Sequence, residues 1–323
     1  MPAPDLTTTV GSVTLPNPVM TASGTAGHGT ELAAYQDLSG LGAVVVKSLA
    51  AGPWAGNPPP RVREAPAGMV NSIGLQGPGV PAWLAEDLPA LEALGARVVA
   101  SIWGRTVADY RLAAQQLAGA PQQVVAVEVN LSCPNLEGRG AIFAHDAALS
   151  AEVLAATAPC DRPRWAKLSP NTDRLVEVAA AVRDAGAEAV TLVNTVLGMV
   201  LDQASGLPAL GNGGGGVSGR AIHPVAVRAV YDVRAALADL AIVGAGGVAS
   251  GWDAAEMLLA GANAVQVGTA TFADPAAAGR VQRELVSWAE AHGMASVATL
   301  SGLAHRGGLG AAGGVPHSAL TRG

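Results

Sequence analysis

Short apolar runs recur along the chain, and most of the segments between them carry apolar residues at helical spacing. Residues 172–185 and 252–260 are two clear examples of the helical pattern. We interpret the apolar runs as eight β-strands, which span residues 18–24, 43–48, 97–103, 126–132, 165–170, 189–195, 241–247 and 264–271. Eight alternating strands and helices predict an α/β fold, a (β/α)8 TIM barrel, built as one domain over residues 1–323.

The main alternative to a barrel is an open, doubly wound parallel sheet. Such a sheet often carries a glycine-rich dinucleotide-binding turn after its first strand. Residues 20–27 read Met-Thr-Ala-Ser-Gly-Thr-Ala-Gly, which does not match that turn. The pattern therefore favours the barrel.

Four segments lie outside the strand–helix repeat. Residues 1–16 contain two short β-type runs around a Gly-Ser turn, which predicts a hairpin that plugs or flanks the barrel. Residues 50–81 and 197–219 are rich in glycine and proline, and we expect long loops over the carboxyl-terminal face of the barrel. Residues 303–323 form a glycine-rich tail without clear periodicity.

Composition narrows the possible partners and location. The net charge of −6 and the absence of a Lys/Arg cluster argue against nucleic acid. The amino terminus lacks a signal sequence and no apolar run is long enough to span a bilayer, so we expect a cytoplasmic protein without a membrane anchor. Two cysteines are too few for a disulfide framework or a four-thiolate iron–sulfur cluster.

Glycines mark the ends of the last two predicted strands. Residues 243–247 read Val-Gly-Ala-Gly-Gly, and Gly268-Thr269 follows the eighth run. Backbone amides in such loops bind anions, and barrels often bind phosphate after strands seven and eight. The simpler interpretation is that these glycines only make tight turns, but their position favours a phosphate site.

Two lysines and several amides stand at the ends of predicted strands. Lys47 and Lys167 each follow apolar residues, where a lysine either reaches solvent or meets a charge. Together with a phosphate site they favour an anionic cofactor and an anionic substrate. The amides, which cap turns in the simpler interpretation, would suit a planar heterocycle with C=O and N–H groups; they are Asn71, Asn130, Asn135 and Asn194.

Cys133 follows the fourth strand. A lone cysteine is more often a small buried apolar residue, but the neighbouring Ser132 and Asn135 and the glycines that follow favour a chemical role as nucleophile or general base. No histidine adjoins it, and the histidines that could approach in the fold stay unassigned: His28, His145 and His223.

Taken together, the sequence motifs resemble those of the class 1 dihydroorotate dehydrogenases, and most closely those of the class 1B branch. The resemblance covers residues 7–275. The motifs that carry it are Ala22-Ser-Gly, Lys47-Ser, Asn71-Ser-Ile-Gly-Leu-Gln, Asn130-Leu-Ser-Cys-Pro-Asn, Lys167-Leu-Ser-Pro-Asn, Asn194-Thr, Gly216-Val-Ser-Gly, Gly246-Gly and Gly268-Thr. Residues 76–78 read Gln-Gly-Pro where class 1B members often have Gln-Asn-Pro.

The resemblance implies oxidation of dihydroorotate to orotate in pyrimidine (UMP) biosynthesis, with Cys133 as general base and FMN as hydride acceptor. The positions that would bind substrate are Lys47, Asn71, Gly74, Leu75, Asn130, Asn135, Asn194 and Thr195. The positions that would bind FMN are Ala22, Ser23, Lys47, Ser48, Asn130, Lys167, Val193, Gly219, Gly246, Gly247, Gly268 and Thr269. The resemblance assigns no metal ligands to the chain. It further implies a homodimer and a second subunit with FAD and a [2Fe–2S] cluster that passes electrons to NAD.

Two other functions remain open from the sequence. One is a dihydropyrimidine dehydrogenase-like flavoenzyme acting on uracil or thymine, whose relatives usually replace Asn135 and lack a lysine for the substrate carboxylate. The other is a flavin-free phosphate-binding barrel, which predicts a colourless protein.

Overall fold

The computed structural model describes residues 3–132 and 142–311. Its strands, numbered in chain order, are β1 (Thr8–Val10), β2 (Val13–Leu15), β3 (Val19–Thr21), β4 (Val44–Val45), β5 (Val62–Ala65), β6 (Gly68–Asn71), β7 (Val98–Ile102), β8 (Val124–Asn130), β9 (Arg164–Lys167), β10 (Ala189–Leu192), β11 (Val196–Gly198), β12 (Gly215–Ser218), β13 (Ala241–Ala245) and β14 (Ala264–Val267).

Eight of these strands form one parallel sheet in the order β3-β14-β13-β10-β9-β8-β7-β4. Each of the eight predicted apolar runs overlaps one of them, although β8 and β9 begin before the predicted runs at residues 126 and 165. The two edge strands also meet, because Gly42 N–H donates to the Val19 carbonyl at 2.8 Å and the Thr21 hydroxyl accepts from Val45 N–H at 2.8 Å. The predicted (β/α)8 barrel is confirmed.

Helices follow most barrel strands. The α-helices are α1 (Val80–Glu86), α2 (Leu88–Ala93), α3 (Val107–Leu117), α4 (Ala147–Ala156), α5 (Leu175–Asp184), α6 (His223–Ala236), α7 (Gly251–Ala260), α8 (Ala270–Ala273), α9 (Ala277–Ala291) and α10 (Gly308–Ala311). Short 3-10 helices span Phe143–His145, Ala158–Cys160, Arg220–Ile222, Val297–Leu300 and Leu303–Arg306. The connection between β3 and β4 contains turns instead of a helix.

The predicted end of the eighth strand is wrong. β14 ends at Val267, whereas the prediction extended it to residue 271. Thr271 N–H donates to the Gly268 carbonyl at 2.9 Å, which turns the chain into α8. The apolar composition of residues 270–273 does not distinguish a short buried helix from a strand.

Side chains alternate between the barrel interior and the surrounding helices, as the two-residue period of a strand requires. Toward the amino ends of the strands the interior is apolar and includes Trp165, Val99 and Val243. The hairpin of β1 and β2 contributes Val10, Val13 and Leu15 to this cluster. The predicted hairpin is therefore present, and it plugs the amino-terminal end of the barrel.

The two long excursions fold together at the opposite end of the barrel. β5 and β6 form an antiparallel hairpin in the first excursion, and β11 and β12 form one in the second. β12 pairs with β6, with Gly216 opposite Asn71, so the order is β11-β12-β6-β5. We predicted loops here, and the structure instead shows a four-stranded lid sheet made from both excursions.

The start of the predicted tail has regular structure. Leu303–Arg306 and α10 are helical, and the His305 ring stacks on Tyr231 with centroids 3.9 Å apart. His305 Nε2 also donates to the Ala260 carbonyl at 2.9 Å. The tail therefore begins with two short helical turns at residues 303–311, and residues 312–323 lie outside the described part of the chain.

Candidate active site

The carboxyl ends of the barrel strands and the lid sheet enclose a cavity of about 1010 Å³. Every predicted site residue that the structure describes lines this cavity: Ala22, Ser23, Lys47, Ser48, Asn71, Gly74, Leu75, Asn130, Lys167, Val193, Asn194, Thr195, Gly219, Gly246, Gly247, Gly268 and Thr269. Cys133 and Asn135 lie outside the described residues. The structure thus brings together residues that are up to 247 positions apart in sequence, from Ala22 to Thr269.

One wall of the cavity is built from glycines. Gly247 has φ +70°, and a Cβ atom there would lie 2.6 Å from His223 Cβ and 2.9 Å from the Gly219 carbonyl oxygen. His223 Nδ1 donates to the Gly246 carbonyl at 2.8 Å, which holds this turn against the first residue of α6. The absence of side chains lets a ligand approach the backbone closely, as an anion bound by amides requires.

Lys47 follows β4, and its side chain is partly buried at the cavity. Within residues 3–132 and 142–311, no ion pair or side-chain hydrogen bond is formed by its ammonium group. Burial lowers the pKa of Lys47. The nearby His28 cannot supply an opposite charge, because an imidazole is either neutral or positive. Burial first and Lys47 second lower the pKa of His28. A partly buried cation without a partner favours an anionic ligand in the cavity.

Hydroxyl and amide groups form a continuous chain beside Lys47. Ser48 Oγ lies 3.2 Å from Ser23 Oγ and 2.9 Å from Ser101 Oγ, and it accepts from Asn130 Nδ2 at 3.2 Å. Asn194 Nδ2 in turn donates to Asn130 Oδ1 at 3.2 Å. These contacts fix how the amide groups are oriented at the cavity surface.

The backbone also supports this chain. Tyr110 on α3 donates its hydroxyl to the Asn130 carbonyl at 2.6 Å, and Thr195 N–H donates to Asn194 Oδ1 at 2.9 Å. Ser101 was not predicted as part of the site. The sequence feature that could have identified it is the single polar residue in the otherwise apolar strand Val98–Ile102, at a position that faces the barrel interior.

The cavity floor holds a second lysine in a different setting. Lys167 Nζ donates to Gln266 Oε1 at 3.1 Å and lies 3.7 Å from Glu128 Oε1. Glu128 and Gln266 were not predicted, although each is a polar residue within an apolar strand, which is the same signal that drew attention to the lysines. The carboxylate of Glu128 therefore supplies the negative charge that a buried lysine requires at Lys167. None of the described residues supplies such a charge for Lys47.

The lid sheet supplies the remaining residues. Asn71 Nδ2 donates to the Gly216 carbonyl at 3.3 Å, which links the two excursions beside the cavity. Trp54 Nε1 donates to the Gly74 carbonyl at 3.0 Å and fixes the turn that contains Leu75. Across the cavity, the Thr269 hydroxyl donates to Ser218 Oγ at 2.8 Å, so the lid is also tied to the end of β14.

The fold and the cavity together define an α/β-barrel enzyme whose active site lies at the carboxyl ends of the strands. The family model described as dihydroorotate dehydrogenase matches residues 5–288. The chain belongs to the dihydroorotate dehydrogenase family and is an oxidoreductase of that family, whose members are flavin-dependent. The class 1B resemblance seen in the motifs is confirmed, and the two alternative functions are not favoured.

Similar proteins share nearly the full length of the chain. The chain is 46% identical over 300 residues to the dihydroorotate dehydrogenase B (NAD(+)) catalytic subunit of Desulforudis audaxviator (strain MP104C), covering 93% of this chain and 97% of that protein. It is 44% identical over 303 residues to the subunit of the same name from Geobacter sp. (strain M21), covering 94% and 99%. The corresponding protein of Pelobacter propionicus is 45% identical over 300 residues, covering 93% and 98%.

The lengths and apolar character of the helices bear on membrane insertion. In the ranges 3–132 and 142–311, none of them combines the length and the apolar character that crossing a membrane requires.

Proposed function

We propose that this chain oxidises (S)-dihydroorotate to orotate in pyrimidine (UMP) biosynthesis, with FMN as the bound hydride acceptor. The observation that carries the proposal is the combination, in one cavity, of a glycine wall with the Lys47 ammonium, unpaired among the described residues, and the oriented amides of Asn130 and Asn194. The first feature suits a phosphate, and the other two suit a planar ring that carries a carboxylate and amide-like groups.

The described residues fit FMN. A cavity of about 1010 Å³ is large enough for a three-ring flavin together with a small substrate. The phosphate end of FMN would lie against the glycine wall, where a Cβ atom added to a glycine would come too close to neighbouring atoms. The residues proposed to hold it are Gly219, Gly246, Gly247, Gly268 and Thr269. The residues proposed for the rest of the cofactor are Ala22, Ser23, Lys47, Ser48, Asn130, Lys167 and Val193. When bound, FMN supplies a two-electron acceptor for the hydride from C6 of the substrate.

The substrate would lie against the lid and the amide chain. Lys47 would pair with the carboxylate, and this contact would replace the water that a buried ammonium otherwise needs. Asn71, Asn130 and Asn194 would bind the ring C=O and N–H groups; Gly74, Leu75, Asn135 and Thr195 complete the proposed set. The hydrogen bonds that already orient the amides reduce the entropy lost on binding.

Cys133 is the proposed general base. Its thiolate would take the proton from C5 while the hydride leaves C6, so the C5–C6 bond of dihydroorotate becomes the double bond of orotate. A thiolate is accessible near neutral pH in a positively charged environment, and the Lys47 ammonium contributes positive charge to the cavity. The position of Cys133 lies outside the described residues, so this role depends on the sequence motif.

The relatives named above are catalytic subunits of an NAD(+)-dependent enzyme. We propose that this chain likewise acts with a second subunit, which would carry FAD and a [2Fe–2S] cluster and pass electrons to NAD. We further propose that the catalytic subunit is a homodimer and works in the cytoplasm.

Anaerobic reduction of the bound flavin tests the proposal. The purified protein is reconstituted with FMN and mixed with dihydroorotate or with dihydrouracil, and the visible absorbance of the oxidised flavin is followed. We expect rapid bleaching with dihydroorotate only. Protein that binds no FMN, or that is reduced equally well by dihydrouracil, would contradict the proposed function.

The role of Cys133 is tested with a matched cysteine. Cys133→Ala should still bind FMN and orotate but should reduce flavin about 10²- to 10⁴-fold more slowly, which is the usual contribution of a general base. Cys160 is the control, because it is buried before β9, away from the cavity, and its hydrogen bond is to the Arg162 carbonyl. Equal rates for Cys133→Ala and Cys160→Ala would remove Cys133 from the mechanism.

A further inference from the structure

Beneath the cavity, four inward-facing side chains from four strands form one hydrogen-bonded group, the floor network. Its members are Glu128 on β8, Lys167 on β9, Thr191 on β10 and Gln266 on β14. Lys167 and Gln266 line the cavity, whereas Glu128 is fully buried below them. Glu128 stands one inward position below the level of Lys167, because its neighbour in the β8–β9 ladder is Trp165.

The contacts within the floor network have a defined direction. The Lys167 ammonium can only donate, so Gln266 presents Oε1 to it at 3.1 Å and its Nε2 is turned toward Glu128 Oε2 at 2.6 Å. Thr191 donates its hydroxyl to the same carboxylate oxygen at 2.9 Å. Gln266 thus connects the ammonium to the carboxylate in one orientation only.

Glu128 is surrounded by donors. Oε2 accepts two hydrogen bonds, and Oε1 faces the Lys167 ammonium at 3.7 Å and accepts no hydrogen bond from the described residues. The Gln266 amide nitrogen and the Lys167 ammonium, which face its two oxygens, can only donate hydrogen bonds. The geometry therefore favours a carboxylate, and the buried pair of Glu128 and Lys167 has no net charge.

We infer that Glu128 is a positioning residue that sets the reduction potential of the bound flavin through Lys167. This inference rests on the proposed function, because it requires FMN above the floor network. Reduction places negative charge on the flavin, and a nearby ammonium favours that change. The negative charge of Glu128 offsets the positive charge of the Lys167 ammonium and holds that ammonium on the cavity floor. The bound flavin therefore lies next to an ion pair without net charge. No carboxylate among the described residues offsets the charge of Lys47, so that charge can pair with the substrate carboxylate.

The test is the two-electron midpoint potential of FMN bound to the holoenzyme, measured by dye-coupled spectroscopic titration. Glu128→Gln leaves the pair with a net positive charge, and we expect the equilibrium constant for flavin reduction to rise at least about tenfold, which is about 30 mV. Lys167→Met leaves a net negative charge and should shift the potential in the opposite direction. The double variant is again neutral and should lie within about threefold of the wild-type constant.

Thr191→Val is the matched control, because it removes one hydrogen bond from the same carboxylate without changing the charge. We expect Thr191→Val to leave the equilibrium constant for flavin reduction within about threefold of the wild-type value. A Glu128→Gln protein with an unchanged potential would overturn the inference, and so would a Thr191→Val shift as large as that of Glu128→Gln. If Lys167→Met fails to fold, the comparison of Glu128→Gln with Thr191→Val decides alone. Wild-type protein that binds no FMN would instead refute the proposed function and the inference with it.

Discussion

Gly247→Ala should damage both the stability of the barrel and its affinity for FMN. Gly247 has φ +70°, and the new methyl group would lie 2.6 Å from His223 Cβ and 2.9 Å from the Gly219 carbonyl oxygen. Neither neighbour is the end of a flexible side chain. The left-handed conformation costs an L-residue roughly 1–2 kcal/mol, and forcing a methyl group into a packed site costs roughly 1–3 kcal/mol more. The expected destabilisation is therefore about 2–5 kcal/mol.

Gly293 provides a control that separates the two costs. It has φ +67°, and no atom of the described residues lies within 4 Å of the place that a methyl group would take, so Gly293→Ala carries the conformational cost without the collision. Urea unfolding of both variants without FMN should show Gly247→Ala to be less stable by about 1–3 kcal/mol. A difference below about 0.5 kcal/mol would refute the assignment of a tightly packed wall at Gly247.

The same pair of variants tests whether this wall binds the cofactor. A methyl group at Gly247 forces the turn away from its native position, and FMN binding must then restore it. Fluorescence titration should show that Gly247→Ala weakens FMN binding at least about tenfold, which is about 1.4 kcal/mol. Gly293→Ala should bind FMN as the wild type does. Equal affinities for the two variants would place the phosphate elsewhere in the cavity.

Three further changes test the other walls of the cavity. Lys47→Met should weaken orotate binding about 10- to 100-fold, since a charged hydrogen bond contributes about 1.5–3 kcal/mol, and spectral titration at constant FMN saturation measures the loss. The Lys47 side chain binds orotate only in its protonated form, and burial lowers its pKa. The affinity of the wild type for orotate should therefore fall as pH rises through that lowered pKa and stay constant below it. His223→Ala should weaken FMN binding because it releases the Gly246 carbonyl, and His223→Asn, whose amide can replace Nδ1, should recover part of the affinity in the same fluorescence assay. Ser101→Ala should reduce the free energy of unfolding by about 1 kcal/mol through loss of the Ser48 contact, and an unchanged urea midpoint would argue against that hydrogen bond.

The barrel was predictable from the sequence because each strand has its own local signal. The apolar run that contains β7 is bounded by Gly95 and Gly104, and it reads as a strand without knowledge of its neighbours. Strand ends were less predictable, as β14 shows, since the turn after Val267 is set by backbone hydrogen bonds such as that from Thr271 N–H to the Gly268 carbonyl. The lid sheet was missed because β12 is half glycine, and its pairing with β6 joins segments about 145 residues apart.

The candidate site was predictable where a residue type is unusual for its place. Lys47 and Lys167 were found because lysine is costly in an apolar strand, but their different surroundings were not predictable. Whether a buried lysine meets a carboxylate depends on strand register, which puts Glu128 below Lys167 and leaves Lys47 facing the cavity. Glu128 was overlooked because glutamate between two valines also suits a half-exposed strand.

The position of β3 has a consequence for synthesis of the protein. β3 pairs in register with β14, and the hairpin before it is tied to the residue that precedes β14, since Thr8 Oγ1 donates to the Asn263 carbonyl across 255 residues. β3, the first barrel strand to leave the ribosome, therefore has no partner on one side until the last barrel strand, β14, follows it. With synthesis at about 5–20 residues per second, this edge of β3 stays open for roughly 10–50 seconds, and an open strand edge can pair with other chains.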